Sequence, residues 1–430
     1  VAEKLTAPKG TYDILPEDQP RRRWLADKAA DVFQRYGYGR LDTPMFEETR
    51  LFTRGVGEST DIVRKEMYTF QDLGGRSMTL RPEGTAPAAR AYVEHGFKTK
   101  PQPVKFWYHW AMFRYESPQS GRYRQHYQFG IEAFGSDSPA LDAEAIGVLA
   151  TLYREIGLSR VELRLNSMGC RECRPGYVEN LRRFLEEHGS ELCADCRERT
   201  ALNPLRTFDC KVEGCRQVLT AAPRLPDSLC PACKDHHDTV KAYLALQGIH
   251  YLEDHTLVRG MDYYTRTTFE FQSPVLGAQS GVGGGGRYDN LVESIGGTDV
   301  PGVGFGTGVE RILLALERSG VEVPEPPRPA AYVVAVDEAS RSEAFRLAHE
   351  LRTTGTKVEL DYLGRSVKGQ MKQAAGSRAH YAAILGEQEL AEGSVTVRDM
   401  STGAEERLLW EQAKAKIVSG PDAARGDDDL

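Results

Sequence analysis

The chain has 430 residues, 40% of them apolar and 27% charged, with a formal net charge of −7. That length predicts roughly two to four domains with real cores, and the composition excludes wholesale disorder, a collagen-like repeat and, since no apolar run approaches the ~18 residues that cross a bilayer, a membrane-spanning chain. A generally basic coat for nucleic acid is excluded too, so any such partner must be met by local basic surfaces.

Residues 1–17 read as extended, and VAEKLTAPKG has no apolar stretch of a secretory signal. A helix follows, with Asp18 as cap, Pro20 in the first turn, Gly37 as stop, and Trp24, Leu25, Val32, Phe33 and Tyr36 on one face. RLDTP at 40–44 predicts a strand ending in proline. From Leu51 to Gly135, aromatic-rich strand runs alternate with turns, which predicts an antiparallel sheet. Ala140–Ile156 reads as a helix and VELRLNS as a strand. Residues 170–237 carry four close cysteine pairs and read as an insertion between two halves of one sheet, 1–169 and 238–320. DTVKAYLALQG is helical, LVRGMDYYTRTTFEFQ strand-like, SGVGGGGRYD a glycine-dense turn, and VERILLALERSG a helix. Residues 321–329 form a proline-rich, stiff linker. Strands and helices then alternate over 330–420, a small α/β domain, before an acidic tail at 421–430 that reads as disordered.

Four segments carry chemistry. In FRYESPQSGRYRQHYQFGIEAFG at 113–135, Arg114 and Glu116 share a strand face, Arg122 and Arg124 sit in the turn, and Gln128, Gly130 and Glu132 alternate onto one face of the return strand. A guanidinium grips phosphate bidentately, and a carboxylate beside it accepts from an exocyclic amine. In GVGFGTGVERILLAL at 302–316, glycines lead into a helix whose first turn holds Arg311, near a helix end suited to anions. In TLRPEGT, Glu83 follows a strand closed by a proline turn and suits a cationic group. In LVRGMDYYTRTTFEF, Arg259 is a lone cation on an apolar strand, which is costly unless it is paired or used, and Tyr263 and Tyr264 offer hydroxyls and ring faces. Taken singly, the first segment reads equally well as a solvated hairpin and the second as a plain glycine turn before an amphipathic helix.

Together the four segments resemble a class II aminoacyl-tRNA synthetase, and within that class the histidyl-tRNA synthetase family, over nearly the whole chain. The first helix with RLDTP resembles the class's motif 1, a dimer-forming element ending in Pro44. Residues 113–135 resemble motif 2 and 302–316 motif 3. RGMDYYT and GGGRYDNL carry the histidine-specific likeness, although Gly283 stands where the family often has cysteine. The resemblance implies an α+β catalytic domain on an antiparallel sheet flanked by helices, a helical insertion that contacts the tRNA acceptor arm, and a C-terminal α/β anticodon-binding domain. It implies a cytoplasmic homodimer that activates L-histidine with ATP and Mg²⁺ and charges tRNA(His), with no membrane partner.

By the same resemblance Arg114 holds the α-phosphate, Glu116 the adenine amine, Arg122 the polyphosphate, and Arg311 the γ-phosphate. Arg259 reaches the α-phosphate and the substrate carboxylate. Glu83, Thr85 and Gln128 surround the α-amino group, Glu132 with Tyr264 reads the imidazole, and Gly84 and Tyr263 complete the histidine site. Arg365, Lys368, Lys372 and Arg378 become the RNA-binding cations of the last domain, the first three on one helical face. The alternative is the non-catalytic, histidine-sensing regulatory subunit of ATP phosphoribosyltransferase, which usually lacks the ATP-contact arginines and the last domain.

The eight cysteines, with no export signal, favour a reduced compartment with thiols free to bind metal. Cys170-x2-Cys173 with Cys193-x2-Cys196 has a zinc-ribbon spacing, and Cys210-x4-Cys215 with Cys230-x2-Cys233 would form a second set. A thiol-rich helical insert without Zn²⁺ is the other reading, and the pairing among the eight stays open. No cysteine lies in the ATP or histidine motifs, so activation is expected not to depend on the cysteine block.

Overall fold

The computed structural model describes residues 4–420 other than 278 and 326. The acidic tail expected at 421–430 lies outside the described residues. The chain divides into two units, Val1–Pro324 and Glu325–Leu430.

The first unit is built on an eight-stranded sheet. Its order is Gly39–Arg40, Val104–Phe113, Gln125–Phe134, Gly302–Gly308, Gly281–Arg287, Thr265–Gln272, Glu162–Ser167 and Tyr251–Glu253. The six inner strands pair antiparallel, and only the two short edge strands join in parallel. The period of two sorts the faces. Phe129, Ile131, Phe269, Phe271, Val303 and Phe305 point into a core shared with helices Gln19–Arg35, Pro139–Glu155 and Val309–Arg318. The opposite face carries Gln128, Glu132 and a run of glycines, and it becomes the site.

Two sequence expectations fail here for the same physical reason. SGVGGGGRYD is no turn: Gly281–Arg287 is a central strand between two partners. A Cβ on Gly285 would overlap the carbonyl oxygen of Gly304 on the neighbouring strand, so the strand packs as it does only because it lacks side chains. Likewise GVGFGTG is strand, Gly302–Gly308, before the helix starts at Val309. RGMDYY, by contrast, is loop. The strand begins at Thr265, so Arg259 is not on a strand at all. Of RLDTP only Arg40 joins the sheet, in the short strand Gly39–Arg40. Arg114 and Glu116 lie just past the strand end at Phe113.

The segment between the two halves of the sheet is helical: Arg174–Glu187, Ala194–Leu202, Glu213–Thr220 and Pro231–Leu246. It has its own core around Tyr177, Leu181, Leu185, Val218 and Leu219. Its last helix starts at Pro231, with Cys230 in the N-cap position and proline fixing the first turn. It therefore runs straight through the expected boundary at 237/238. Among the described residues no helix is long and apolar enough to cross a membrane.

The second unit is a five-stranded sheet of order Val358–Leu360, Ala331–Ala335, Tyr381–Leu385, Ser394–Asp399 and Glu405–Leu409, parallel for the first three and antiparallel thereafter. Helices Arg341–Thr353 and Trp410–Ser419 pack on one face through Leu347, Leu351, Ala413 and Ile417. Helix Val367–Gly376 packs against the other through Ala374.

Candidate active site

The glycine-rich face forms the floor of two adjoining cavities of about 200 and 430 Å³, which share Arg114, Arg122, Gln128, Arg259, Glu270, Gly284 and Gly306. The smaller one adds Glu116, His126 and Arg311. The larger adds Glu83, Gly84, Thr85, Tyr108, Tyr263 and Tyr264. Glu83 and Arg311, 228 positions apart, thus share one hollow, with cations gathered at one end and buried carboxylates at the other.

At the cationic end the arginines are held in place and outnumber the carboxylates among them. Arg114 donates through Nε to the Pro82 carbonyl at 2.7 Å, and its Nη1 lies 3.7 Å from Glu116. Arg122 approaches the other oxygen of Glu116 at 3.3 Å. Arg311 stands in the first turn of its helix and donates to the carbonyls of Gln279 and Gly281; it has no ion-pair partner among the described residues. Arg259 pairs with Glu270 at 2.6 Å and lies under the Tyr264 ring, 5.9 Å from its centroid. Its buried Nε has no partner among the described residues. Four guanidiniums around one hollow, with two carboxylates between them, leave a net positive site suited to a polyphosphate.

At the other end, helix Thr85–Glu94 begins beneath the cavity. Glu83 accepts from the backbone N–H of Thr85 at 2.8 Å and of Ala86 at 3.0 Å, so it caps that helix while its remaining lone pairs face the hollow. Burial raises its pKa, opposed by those amides. The Tyr263 hydroxyl stands 3.4 Å from it. Glu132 is fully buried and lies under the floor, not on the lining. Its carboxylate accepts from Thr85 Oγ1 at 2.8 Å, from Tyr108 Oη at 3.1 Å and from Tyr288 Oη. Burial pushes its pKa up to about 8, against the pull of those hydroxyls. A Cβ on Gly130 would overlap the Tyr108 hydroxyl, and one on Gly304 would overlap the Glu132 carboxylate. Both glycines make room for this buried cluster.

Among the lining residues that the sequence did not single out, Tyr108, His126 and Glu270 stand closest to the chemistry. Tyr108 sits inside a run of aromatics that reads as core, and its ring stacks on Trp110 at 4.1 Å. His126 is pushed down to about 3 by burial and then by Arg114, so it stays neutral. Glu270 did leave a signal: a lone carboxylate in TFEF, flanked by core phenylalanines, must be paired or used. Behind the site, Arg287 of GGGRYDNL is fully buried, bonded to Asp142 and, at 3.1 Å, to Asp289. His236 binds the same Asp142 at 2.5 Å, tying the insertion's last helix to helix Pro139–Glu155 and, through Arg287, to the sheet.

The proposed RNA-binding face needs correction. Arg365 precedes the helix, whose N-cap is Ser366, and it pairs with Asp361 at 2.6 Å. Arg378 has left the helix with φ 58° and pairs with Glu325 at 3.1 Å. Lys368 and Lys372 remain exposed on the helix.

The cysteines group as Cys170, Cys173, Cys230, Cys233 and as Cys193, Cys196, Cys210, Cys215, nested rather than consecutive, with the four Sγ atoms of each group within 4.8 Å of one another. The consecutive sets suggested by spacing are overturned: the insertion's two ends meet at its neck, so its first pair faces its last.

The family model described as histidyl-tRNA synthetase matches residues 10–312, and one described as an anticodon binding domain matches residues 330–419. A histidine–tRNA ligase of Caldanaerobacter subterraneus subsp. tengcongensis is 48% identical over 411 residues, 96% of this chain and 99% of its own. One from Moorella thermoacetica is 51% identical over 401 residues, 93% and 95% of the two chains. The crystal structure of apo Staphylococcus aureus histidyl-tRNA synthetase superposes with a TM-score of 0.81 at 38% identity, covering 96% of this chain and 99% of that one. With its class II sheet, its two-ended cavity and these matches along nearly its full length, the chain belongs to the histidyl-tRNA synthetase family.

Proposed function

We propose that this chain activates L-histidine with ATP to histidyl-adenylate and transfers the histidyl group to the 3′ end of tRNA(His). The observation that carries the reading is the polarity of one cavity: four arginines at one end, and Glu83 with the Glu132 cluster at the other. ATP would enter with Mg²⁺, which, carried by the nucleotide, would offset part of the phosphate charge. Arg311 holds the outer phosphate and Arg114 the α-phosphate, while Glu116 and Arg122 flank the base and polyphosphate. The histidine carboxylate attacks the α-phosphorus in line, and pyrophosphate leaves. Charge spreading on the phosphoryl oxygens meets Arg114 and Arg259, which are fixed beforehand by Pro82 and Glu270 and so need little reorganisation.

Glu83, Thr85 and Gln128 hold the α-ammonium. The imidazole meets Tyr264 and the hydroxyl cluster anchored on Glu132. Imidazole presents one donor and one acceptor, so a buried site built for both rejects an amino acid lacking either, by about 10⁴-fold. Lys368 and Lys372 contribute to anticodon-arm binding. Exposed Met45, Phe46 and Phe70 cluster beside Pro44 and form part of a homodimer interface. Zn²⁺ is the metal for the two four-cysteine groups. Incorporation of labelled histidine into tRNA(His) tests the reading. Charging that requires both ATP and histidine supports it, and binding of histidine without ATP cleavage would instead favour the regulatory-subunit alternative.

A further inference from the structure

The RGMDYY loop has no strand partners of its own, yet it carries Arg259, Tyr263 and Tyr264. Two arginines of the insertion hold its ends. Arg174 donates through Nε to the Met168 carbonyl at 2.8 Å and through Nη2 to the Tyr264 carbonyl. Arg206 donates to the Arg259 carbonyl at 3.2 Å, and is itself held by Asp209 at 3.0 Å and Asp61 at 3.5 Å. Between them, Asn203 donates to Asp262 at 3.0 Å. Each arginine is placed by one cysteine group. Arg174 directly follows Cys173, and its backbone N–H donates to the Cys170 carbonyl at 3.0 Å. Arg206 lies in the short turn Pro204–Asp209 that joins Cys196's helix to Cys210.

The sulfur geometry is that of a tetrathiolate site. Sγ–Sγ distances are 3.8 Å for Cys170–Cys173, 3.9 Å for Cys170–Cys230, 3.9 Å for Cys173–Cys233 and 3.8 Å for Cys193–Cys210. A regular tetrahedron with metal–sulfur bonds of about 2.3 Å has edges of about 3.8 Å, whereas a disulfide would bring sulfurs to about 2.05 Å. Backbone amides already point at the sulfurs, from Cys170 to Cys173 at 3.3 Å and from Cys193 to Cys215 at 3.2 Å. Such donors stabilise thiolates in a metal site.

We propose that the two groups are structural Zn²⁺ sites whose task extends past the insertion itself: through Arg174 and Arg206 they brace the loop that carries the histidine and phosphate contacts, so amino-acid activation depends on the metals even without tRNA. This rests on the synthetase reading for its consequence, but not for the metal. Arg174 and Arg206 are positioning residues, with Arg174 at the tyrosine end and Arg206 at the Arg259 end.

The test uses the full chain purified without chelator. Elemental analysis gives about two Zn²⁺ per chain, falling to about one in Cys230→Ser and in Cys215→Ser, and Co²⁺ reconstitution gives thiolate charge-transfer bands that halve in each variant. Less than about a tenth of an equivalent of zinc, with eight titratable thiols, overturns the metal sites. Arg174→Ala keeps both metals but raises KM for histidine about tenfold in tRNA-free pyrophosphate exchange, leaves KM for ATP within about twofold, and is partly rescued by Arg174→Lys. Unchanged histidine KM in Arg174→Ala and in one-metal Cys230→Ser overturns the brace. A variant that merely misfolds would lose both substrates together and would not respond to lysine. Wild-type protein with two zinc ions but no exchange would count against the synthetase reading and leave the metal sites standing.

Discussion

Replacing Arg259 by alanine separates folding from chemistry. The side chain is 17% exposed and spends its one ion pair on Glu270, which is itself 24% exposed and keeps a donor from Gln272 at 3.0 Å. A partly solvated pair of this kind is worth up to about 1 kcal/mol, and Arg259 lies on a loop with no ladder to break. In the reaction the same guanidinium faces developing phosphoryl charge across the cavity it lines. Removing one such preorganised contact costs about 3–4 kcal/mol, or 10²–10³ in rate. Arg259→Ala is therefore expected to melt within a few degrees of the wild type while losing at least about a hundredfold in histidine-dependent ATP–pyrophosphate exchange. Arg259→Lys should fall between the two, because an ammonium keeps the charge but cannot span Glu270 and a phosphate in one plane. Exchange near the wild-type rate by a folded Arg259→Ala would refute the assigned role.

Glu132→Gln is expected to weaken histidine far more than ATP in a binding titration, and equal losses would contradict its role. In the same variant the pH dependence of melting should flatten. With a folded pKa of about 8, Glu132 holds a proton that the unfolded chain has lost above the ordinary carboxylate range, so its contribution to stability falls as pH rises from about 5 to 8. A wild-type slope that survives the substitution would place the titration elsewhere. Gly130→Ala forces a methyl against the Tyr108 ring, which cannot retreat because it stacks on Trp110; about 1–3 kcal/mol of stability and much of the histidine affinity should go, and an unperturbed variant would mean the cluster is loosely packed. Residues 1–324 alone should form the adenylate at close to the full-length rate but charge tRNA at least about tenfold less efficiently, since the second binding element is lost. Charging at the full-length rate would remove the C-terminal unit from RNA recognition.

Much of this site was legible in the sequence, because its chemistry sits in short motifs whose residue types are costly unless used. Arg114, Arg259, Arg311 and Glu83 all line the hollow they were expected to share. What sequence could not supply was pairing in space. Glycine normally argues against a strand, yet Gly281–Arg287 is central in the sheet because neighbouring backbones and the side chains of Tyr153, Thr307 and Tyr264 fill the room its side chains would take. RGMDYY reads as strand because it runs directly into one, yet Arg259, Gly260, Met261, Tyr263 and Tyr264 all line the same cavity as a loop, and the ladder begins only at Thr265. Spacing suggested consecutive cysteine sets but left the pairing open, and the sets are nested, since chain order says nothing about where an insertion's ends meet. Arg365 and Arg378 look free in their own stretch of chain, 365–378, because their acids, Asp361 and Glu325, lie before it.

The central claim is that one cavity joins histidine to ATP, and ATP–pyrophosphate exchange measured with each amino acid in turn tests it most directly. Histidine alone should drive exchange, with every other amino acid lower by about 10⁴ in kcat/KM, because the buried carboxylates and hydroxyls would be left unpaired by any side chain but imidazole. No exchange with histidine, or equal exchange with another amino acid, would contradict the account.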